Sequence, residues 1–248
     1  MQPSVTPIFH KPTSTWSYVV ADPVSREAAV IDPVLDYDWR SARTGTATAD
    51  EILAFLESAG LSLRWILETH AHADHLSAAP HLKAHAGGQI AIGQGICQVQ
   101  ATFKRLFGMG DDFQPDGHQF DRLLADGDTV ELGQIAGRVI ATPGHTNDSV
   151  SYLFGDALFV GDTVFMPDGG SARCDFPGGD AAELYQSIQR LYDLPEATRV
   201  FVCHDYSPGG REVRCETTIG EQRSANIHVR ADTPEAEFVA MRRTRSRT

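Results

Sequence analysis

The chain has 248 residues, a formal net charge of -12 and 42% hydrophobic residues. This is enough apolar side chain for one α/β domain with a full core, which we place at residues 1–240. The negative charge argues against a nucleic-acid partner, since phosphate binding needs a basic face.

In chain order, Met1-Gln2-Pro3-Ser4-Val5-Thr6-Pro7 lacks both the basic start and the apolar stretch of a secretory signal. No apolar run approaches the roughly 20 residues of a membrane span. With Cys97, Cys174, Cys203 and Cys215 scattered outside any C-x-x-C spacing, the reading is a protein of a reducing, cytoplasmic compartment without membrane segments. Residues 16–20 and 28–32 read as two strands around a turn at Asp22-Pro23. Thr48-Ala49-Asp50-Glu51 fits a capping box, followed by the helical face Ile52, Phe55, Leu56 and Ala59, which Gly60 ends. A strand over 63–67 delivers His70. A helix over 78–86 stops at Gly87-Gly88, a strand follows at 89–92, and a second helix fits 96–107. From Asp126 onward strands are expected at 129–132, 135–141, 149–154 and 157–160. Asp180 caps a helix carrying Leu184, Ile188 and Leu191, and a strand at 199–202 delivers His204. The final segment, 241–248, is basic and is expected to be a solvated, partly disordered tail. Two halves that each mix strands and helices imply two packed mixed β-sheets with helices outside, an αββα sandwich of the α/β class.

The chemistry is concentrated in Thr69-His70-Ala71-His72-Ala73-Asp74-His75, three imidazoles and a carboxylate within six residues. Such groups repel on protonation and pack poorly, whereas a divalent cation takes neutral imidazole and ionised carboxylate as natural ligands. His145, Asp162 and His204 each follow a short apolar strand-like run, so a rigid element anchors them while their heads enter a loop-lined cleft. Half of the ten histidines thereby fall in one expected site.

His70-x-His72-x-Asp74-His75 followed by His145, Asp162 and His204 resembles the metallo-β-lactamase superfamily, across essentially the whole chain. The segments 142–146, 161–163, 172–179 and 204–206 resemble its persulfide dioxygenase (sulfur dioxygenase) branch, and within it the bacterial β-lactamase-like hydrolases. The resemblance implies a mononuclear Fe(II) enzyme with His70, His145 and Asp162 as catalytic metal ligands. It also implies oxidation of glutathione persulfide, or a similar small persulfide, by O2 to sulfite. Two imidazoles and one carboxylate leave three open positions, so sulfur and O2 can meet in one coordination sphere. His72, Asp74, His75 and His204 then either orient ligands and waters or complete a dinuclear centre, with Zn(II) as an alternative metal.

By the same resemblance Arg173 and Tyr206 are the substrate-binding candidates, with Asp175 a supporting carboxylate or a partner of Arg173. Cys174 is expected to be a packing residue. The chain departs from the family where a further arginine is expected: the match places His228 there, with Arg223 or Arg230 as substitutes, which leaves the carrier thiol open. The main rival is a glyoxalase-II-like dinuclear thioester hydrolase, although only 44 residues follow His204, room for about two helices. A lactonase and a non-catalytic metal-binding or sulfide-sensing protein are weaker alternatives. The residues specify neither a homodimer nor a rhodanese or sulfide-oxidising partner, both of which the resemblance accommodates.

Overall fold

The run Thr15–Ala21 shows why the strands of this chain are apolar on both faces: Tyr18 and Val20 enter one core, while Val19 and Ala21 enter another. A strand covered on both sides requires a near-continuous apolar run. The same division recurs in 27–31, where Ala29 and Ile31 face one way and Ala28 and Val30 the other.

The computed structural model describes residues 2–245. The first half of the chain forms β1 (Ser4–His10), β2 (Thr15–Ala21), β3 (Glu27–Ile31), β4 (Val34–Asp38), β5 (Arg43–Gly45) and α1 (Ala47–Ser58). It continues with β6 (Ser62–Leu67), β7 (Leu76–Ser77), α2 (Ala79–Ala86), β8 (Gln89–Gly93), α3 (Ile96–Leu106) and β9 (Arg122–Leu124). The second half forms β10 (Thr129–Leu132), β11 (Ile135–Ala141), β12 (Val150–Phe154), β13 (Ala157–Phe159) and α4 (Ala181–Tyr192). It ends with β14 (Arg199–Phe201), β15 (Glu216–Thr218), α5 (Ile219–Ala225) and α6 (Glu235–Arg245).

Two six-stranded mixed sheets result, ordered β1-β2-β3-β6-β8-β9 and β10-β11-β12-β13-β14-β15, with a small β5-β4-β7 sheet beside them. The parallel pairs β3·β6, β6·β8, β8·β9 and β13·β14 are each bridged by a helical crossover, as parallel strands require. Tyr18, Trp65, Phe154, Phe159 and Phe201 fill the space between the sheets. Ile52, Leu56 and Leu82 of α1 and α2 cover one outer face, and Leu184, Ile188 and Phe238 of α4 and α6 cover the other. This is the expected αββα sandwich.

Local expectations differ in two instructive places. Asp180 does cap α4, accepting from the backbone N–H groups of Ala182 and Glu183 at 2.8 and 2.9 Å. Thr48 does not cap α1: the helix begins at Ala47 with Thr46 in the cap position, and the Thr48 N–H and hydroxyl both donate to Asp36 of β4, at 2.9 and 2.8 Å. A partner distant in sequence takes over the role of a local box.

The second difference is the tail. Residues 241–245 continue α6, and the boundary drawn at 240 cuts through that helix. Phe238, Met241 and Arg242, spaced i, i+3 and i+4, share the face that packs inward. Residues 246–248 lie outside the described residues. Among the described residues no helix is long and apolar enough to cross a membrane.

Candidate metal centre

The site lies at one edge of the sandwich, where four strands end. Parallel β3 and β6 terminate side by side at Asp32 and Thr69. Asp32 accepts from the Thr69 N–H at 2.7 Å and from the Thr69 hydroxyl at 2.8 Å. With its proton given to Asp32, the Thr69 oxygen can only accept from Nδ1 of His70, 3.0 Å away. That bond sets the tautomer and leaves Nε2 of His70 as the lone-pair donor. His145 is arranged likewise: its Nδ1 donates to the Arg173 carbonyl at 2.8 Å, and its Nε2 lies 3.5 Å from Asp162 Oδ2. Asp162 follows β13 through Gly161, whose φ of +50° and close approach to Thr69, only 2.4 Å from a Cβ position, exclude a side chain.

His70, His145 and Asp162 offer one donor atom each, and these atoms all lie within 4.8 Å of one another. His72, Asp74 and His75 form a second such group, and His204 converges with Asp162 and Cys203 in a third. His204, fully buried, has Nε2 3.4 Å from Asp162 Oδ1 and 3.5 Å from Asp74 Oδ2. His72 is not part of the first group. Its Nε2 is turned to Asp32 at 3.1 Å and Glu68 at 3.5 Å, and these three make a fourth group.

The fit to a cation rests on polar atoms that protein hydrogen bonds leave unsatisfied. Asp162 Oδ1, His204 Nε2, His75 Nε2 and His72 Nδ1 are buried without a hydrogen-bond partner, a costly arrangement that a bound cation relieves. Protonation states agree. Burial, aided by neighbouring imidazoles, holds His70 well below the ordinary histidine range and pushes His75 down to about 3, so both are neutral near pH 7, the form that can donate a lone pair to a cation. Burial also opposes charge on His72, but Asp32 and Glu68 outweigh it and raise that imidazole. Two nitrogens and one carboxylate oxygen are the donor set of a facial-triad iron site, while the adjoining Asp74, His75 and His204 could hold a second ion.

A cavity of about 570 Å³ opens beside Asp162 and His145 and is lined also by Phe165, Arg173, Tyr206 and Arg242. Arg173 is exposed, paired with Asp175 at 2.5 and 2.7 Å, and lies over the Phe176 ring at 4.8 Å. Asp175 is thus the partner of Arg173. Tyr206 stacks on His204, with ring centroids 5.6 Å apart. Cys174 is a buried thiol pushed up to about 11 by desolvation, in keeping with a packing role.

The cavity corrects the search for an extra arginine. Arg223 faces Glu196 at 3.6 Å and Arg230 faces Asp232 at 3.5 Å, and neither lines the cavity. His228 does line it, accepting from the Ser171 N–H at 2.8 Å, and the guanidinium beside it is Arg242, which donates to the Ser171 carbonyl at 2.8 Å. Sequence reading left Arg242 in the tail. The detectable signal was its i+4 spacing from Phe238. Asp32 and Glu68 were also missed, although a carboxylate at the end of each apolar run was visible.

The sequence pattern of the metallo-beta-lactamase superfamily matches residues 10–204. A metallo-hydrolase of Burkholderia pseudomallei is 49% identical over 99% of this chain and 87% of its own length. The mitochondrial persulfide dioxygenase ETHE1 of Bos taurus is 31% identical over 88% of the chain and 73% of its own length. Three further bacterial relatives, 48–49% identical, are longer proteins of which the chain spans 54–57%. Among solved structures, ETHE1 from Myxococcus xanthus superposes with a TM-score of 0.76 at 31% identity, covering 97% of this chain and 90% of that one. With strand-end ligands on an αββα sandwich and a match across most of its length, the chain belongs to the metallo-beta-lactamase superfamily.

Proposed function

We propose that the protein is a non-haem Fe(II) persulfide dioxygenase that converts glutathione persulfide, or a similar small persulfide, with O2 and water into the thiol and sulfite. One observation carries the reading: His70, His145 and Asp162 each offer one donor atom, all within 4.8 Å of one another, and make a group of two imidazoles and one carboxylate. His70, His145 and Asp162 would hold a ferrous ion, which would supply the redox chemistry between persulfide sulfur and O2. The likeness to proteins named ETHE1, one of them named as a persulfide dioxygenase, supports it.

The remaining work falls to side chains around the cavity. Arg173, oriented by Asp175 and backed by Phe176, binds a substrate carboxylate, and the Tyr206 hydroxyl supplies a hydrogen bond at the cavity mouth. The Arg173 carbonyl holds the Nδ1 proton of His145, so the segment that carries the Arg173 guanidinium also orients that imidazole. Arg173→Ala should raise KM by about 10-fold with kcat little changed, the loss of one charge-assisted contact, as steady-state oxygen uptake will read.

The test of the reaction is to load the protein anaerobically with Fe(II), add glutathione persulfide, and follow O2 consumption and sulfite. Stoichiometric sulfite supports the proposal. Absence of uptake, together with rapid hydrolysis of S-lactoylglutathione by the zinc-loaded protein, replaces it with the second reading. That reading, a dinuclear thioester hydrolase, is favoured by the proximity of Asp74, His75 and His204 to Asp162.

A further inference from the structure

Ile96, Val99 and Phe103 fall at i, i+3 and i+7 of α3 and make one apolar stripe on that helix. Ile96 and Val99 pack with Ile92, and Ala71, between the first two imidazoles of the ligand loop, packs against the same cluster. Beside this cluster lies a second cavity, of about 270 Å³, which neither Arg173 nor Tyr206 lines. Its walls are Val99, Phe103, Phe176 and Pro177, with Ala71 and Ala73 of the ligand loop. No Asp, Glu, Lys or Arg is among its described lining residues. The polar ones are His72, His145 and Thr146, and the Thr146 hydroxyl is already paired with that of Ser149 at 2.7 Å.

The two cavities meet at the metal centre, since Ala73, His145 and Phe176 line both. Phe176 divides them by chemistry. Its ring carries the Arg173 guanidinium at 4.8 Å and meets the His145 ring edge-on, with centroids 5.2 Å apart. A carboxylate is drawn to the Arg173 side, where a guanidinium can pair with it. On the α3 side a carboxylate would lose its water with no guanidinium or ammonium to replace it, whereas an apolar group gains by leaving water.

We propose that the α3 cavity is a second carrier site, which takes the alkyl or aryl group of an apolar persulfide whose sulfur lies at the same His70, His145 and Asp162 group. The inference rests on the dioxygenase reading above and adds a substrate class to it, small apolar persulfides beside carboxylate-bearing ones such as glutathione persulfide. The oxidation is the same for both classes: RSSH, O2 and H2O give RSH, sulfite and two protons, the terminal sulfur being oxidised and O2 reduced. Val99 and Phe103 thereby become specificity residues for the apolar class, as Arg173 is for the anionic one.

The test compares kcat/KM for ethyl, butyl and hexyl persulfide with that for glutathione persulfide in the Fe(II)-loaded protein, read as oxygen uptake and sulfite. Burial of the chain should raise kcat/KM about fourfold per added methylene until the cavity is full. Phe103→Asn, at a half-buried position that tolerates a polar side chain, should flatten that rise. It should lower kcat/KM for hexyl persulfide about 10-fold more than for glutathione persulfide, and Arg173→Ala should do the reverse. If Phe103→Asn does not fold, Val99→Thr, which keeps the side-chain shape, is read in its place. Equal kcat/KM along the wild-type series, with glutathione persulfide oxidised, overturns the second site and leaves the dioxygenase reading standing. A rise that the folded α3 variant does not reduce overturns it as well. Oxidation of no persulfide at all removes the dioxygenase reading, and the second site falls with it.

Discussion

Asp162→Ala should abolish both turnover and metal retention while leaving the metal-free fold intact. Asp162 supplies the sole carboxylate of the three-donor group, and its Oδ1 is buried without a hydrogen-bond partner. Removing it leaves two neutral imidazoles, whose attraction for a dication is much weaker. Loss of kcat/KM should exceed about 100-fold, since substitutions that touch a metal only through its ligands already reach that range. Thermal melting supplies a readout independent of activity. Added metal stabilises the wild type by mass action, and that rise in Tm should vanish in the variant. The metal-free variant should melt no lower than the metal-free wild type, because an unsatisfied buried oxygen has been deleted. A metal-dependent Tm rise in Asp162→Ala equal to that of the wild type would remove Asp162 from the ligand set. Asp74→Ala is the informative contrast: it should cost little if His70, His145 and Asp162 suffice, and as much as Asp162→Ala if a second ion is required.

Gly144→Ala should produce the largest loss of stability among single methyl additions at the site. Gly144 has φ of +130°, and a Cβ there would stand 2.2 Å from the backbone nitrogen of Leu184 and 2.4 Å from its Cα. The turn and the first stretch of α4 are locked together, with the Asp180 N–H donating to the Gly144 carbonyl at 2.9 Å. Backbone strain and overpacking each cost about 1–3 kcal/mol, so a total of about 4 kcal/mol is expected, or a Tm lower by about 8–16 °C for a chain of this size. Because His145 follows directly, a displacement of about 1 Å should also lower kcat by about 100-fold. Gly127→Ala is the control: its φ is +83°, but a Cβ there meets nothing within 4 Å. Only backbone strain should register. Equal melting of the two variants would show that the turn carrying His145 does not pack on α4 as described.

Much of the architecture was legible because it is written in short-range periodicity. The apolar runs at 16–20 and 28–32, the Asp180 cap and the glycine stop at Gly87 each depend on neighbours a few residues away. Short or polar strands were missed: β1 carries Pro7 but lies at a sheet edge, where a missing donor is tolerated, and β5 is wholly exposed. The α1 start was misread because Asp36, distant in sequence, competes for the Thr48 donors better than the local box.

By itself the sequence determined which groups sit at strand ends, because an apolar run followed by His70, His145, Asp162 or His204 places a polar head just beyond a buried element. Tertiary structure alone decided which of them face one another. His72 has the same spacing logic as His70, yet it turns to Asp32 and Glu68, since a buried imidazole beside two buried carboxylates is stabilised by pairing with them. Arg242 reads as part of a basic tail, but Phe238 on the same helical face draws it inward to the Ser171 carbonyl at the cavity wall. Local pattern fixes direction and burial, whereas the choice of partner depends on which distant strand or helix the folded chain brings alongside.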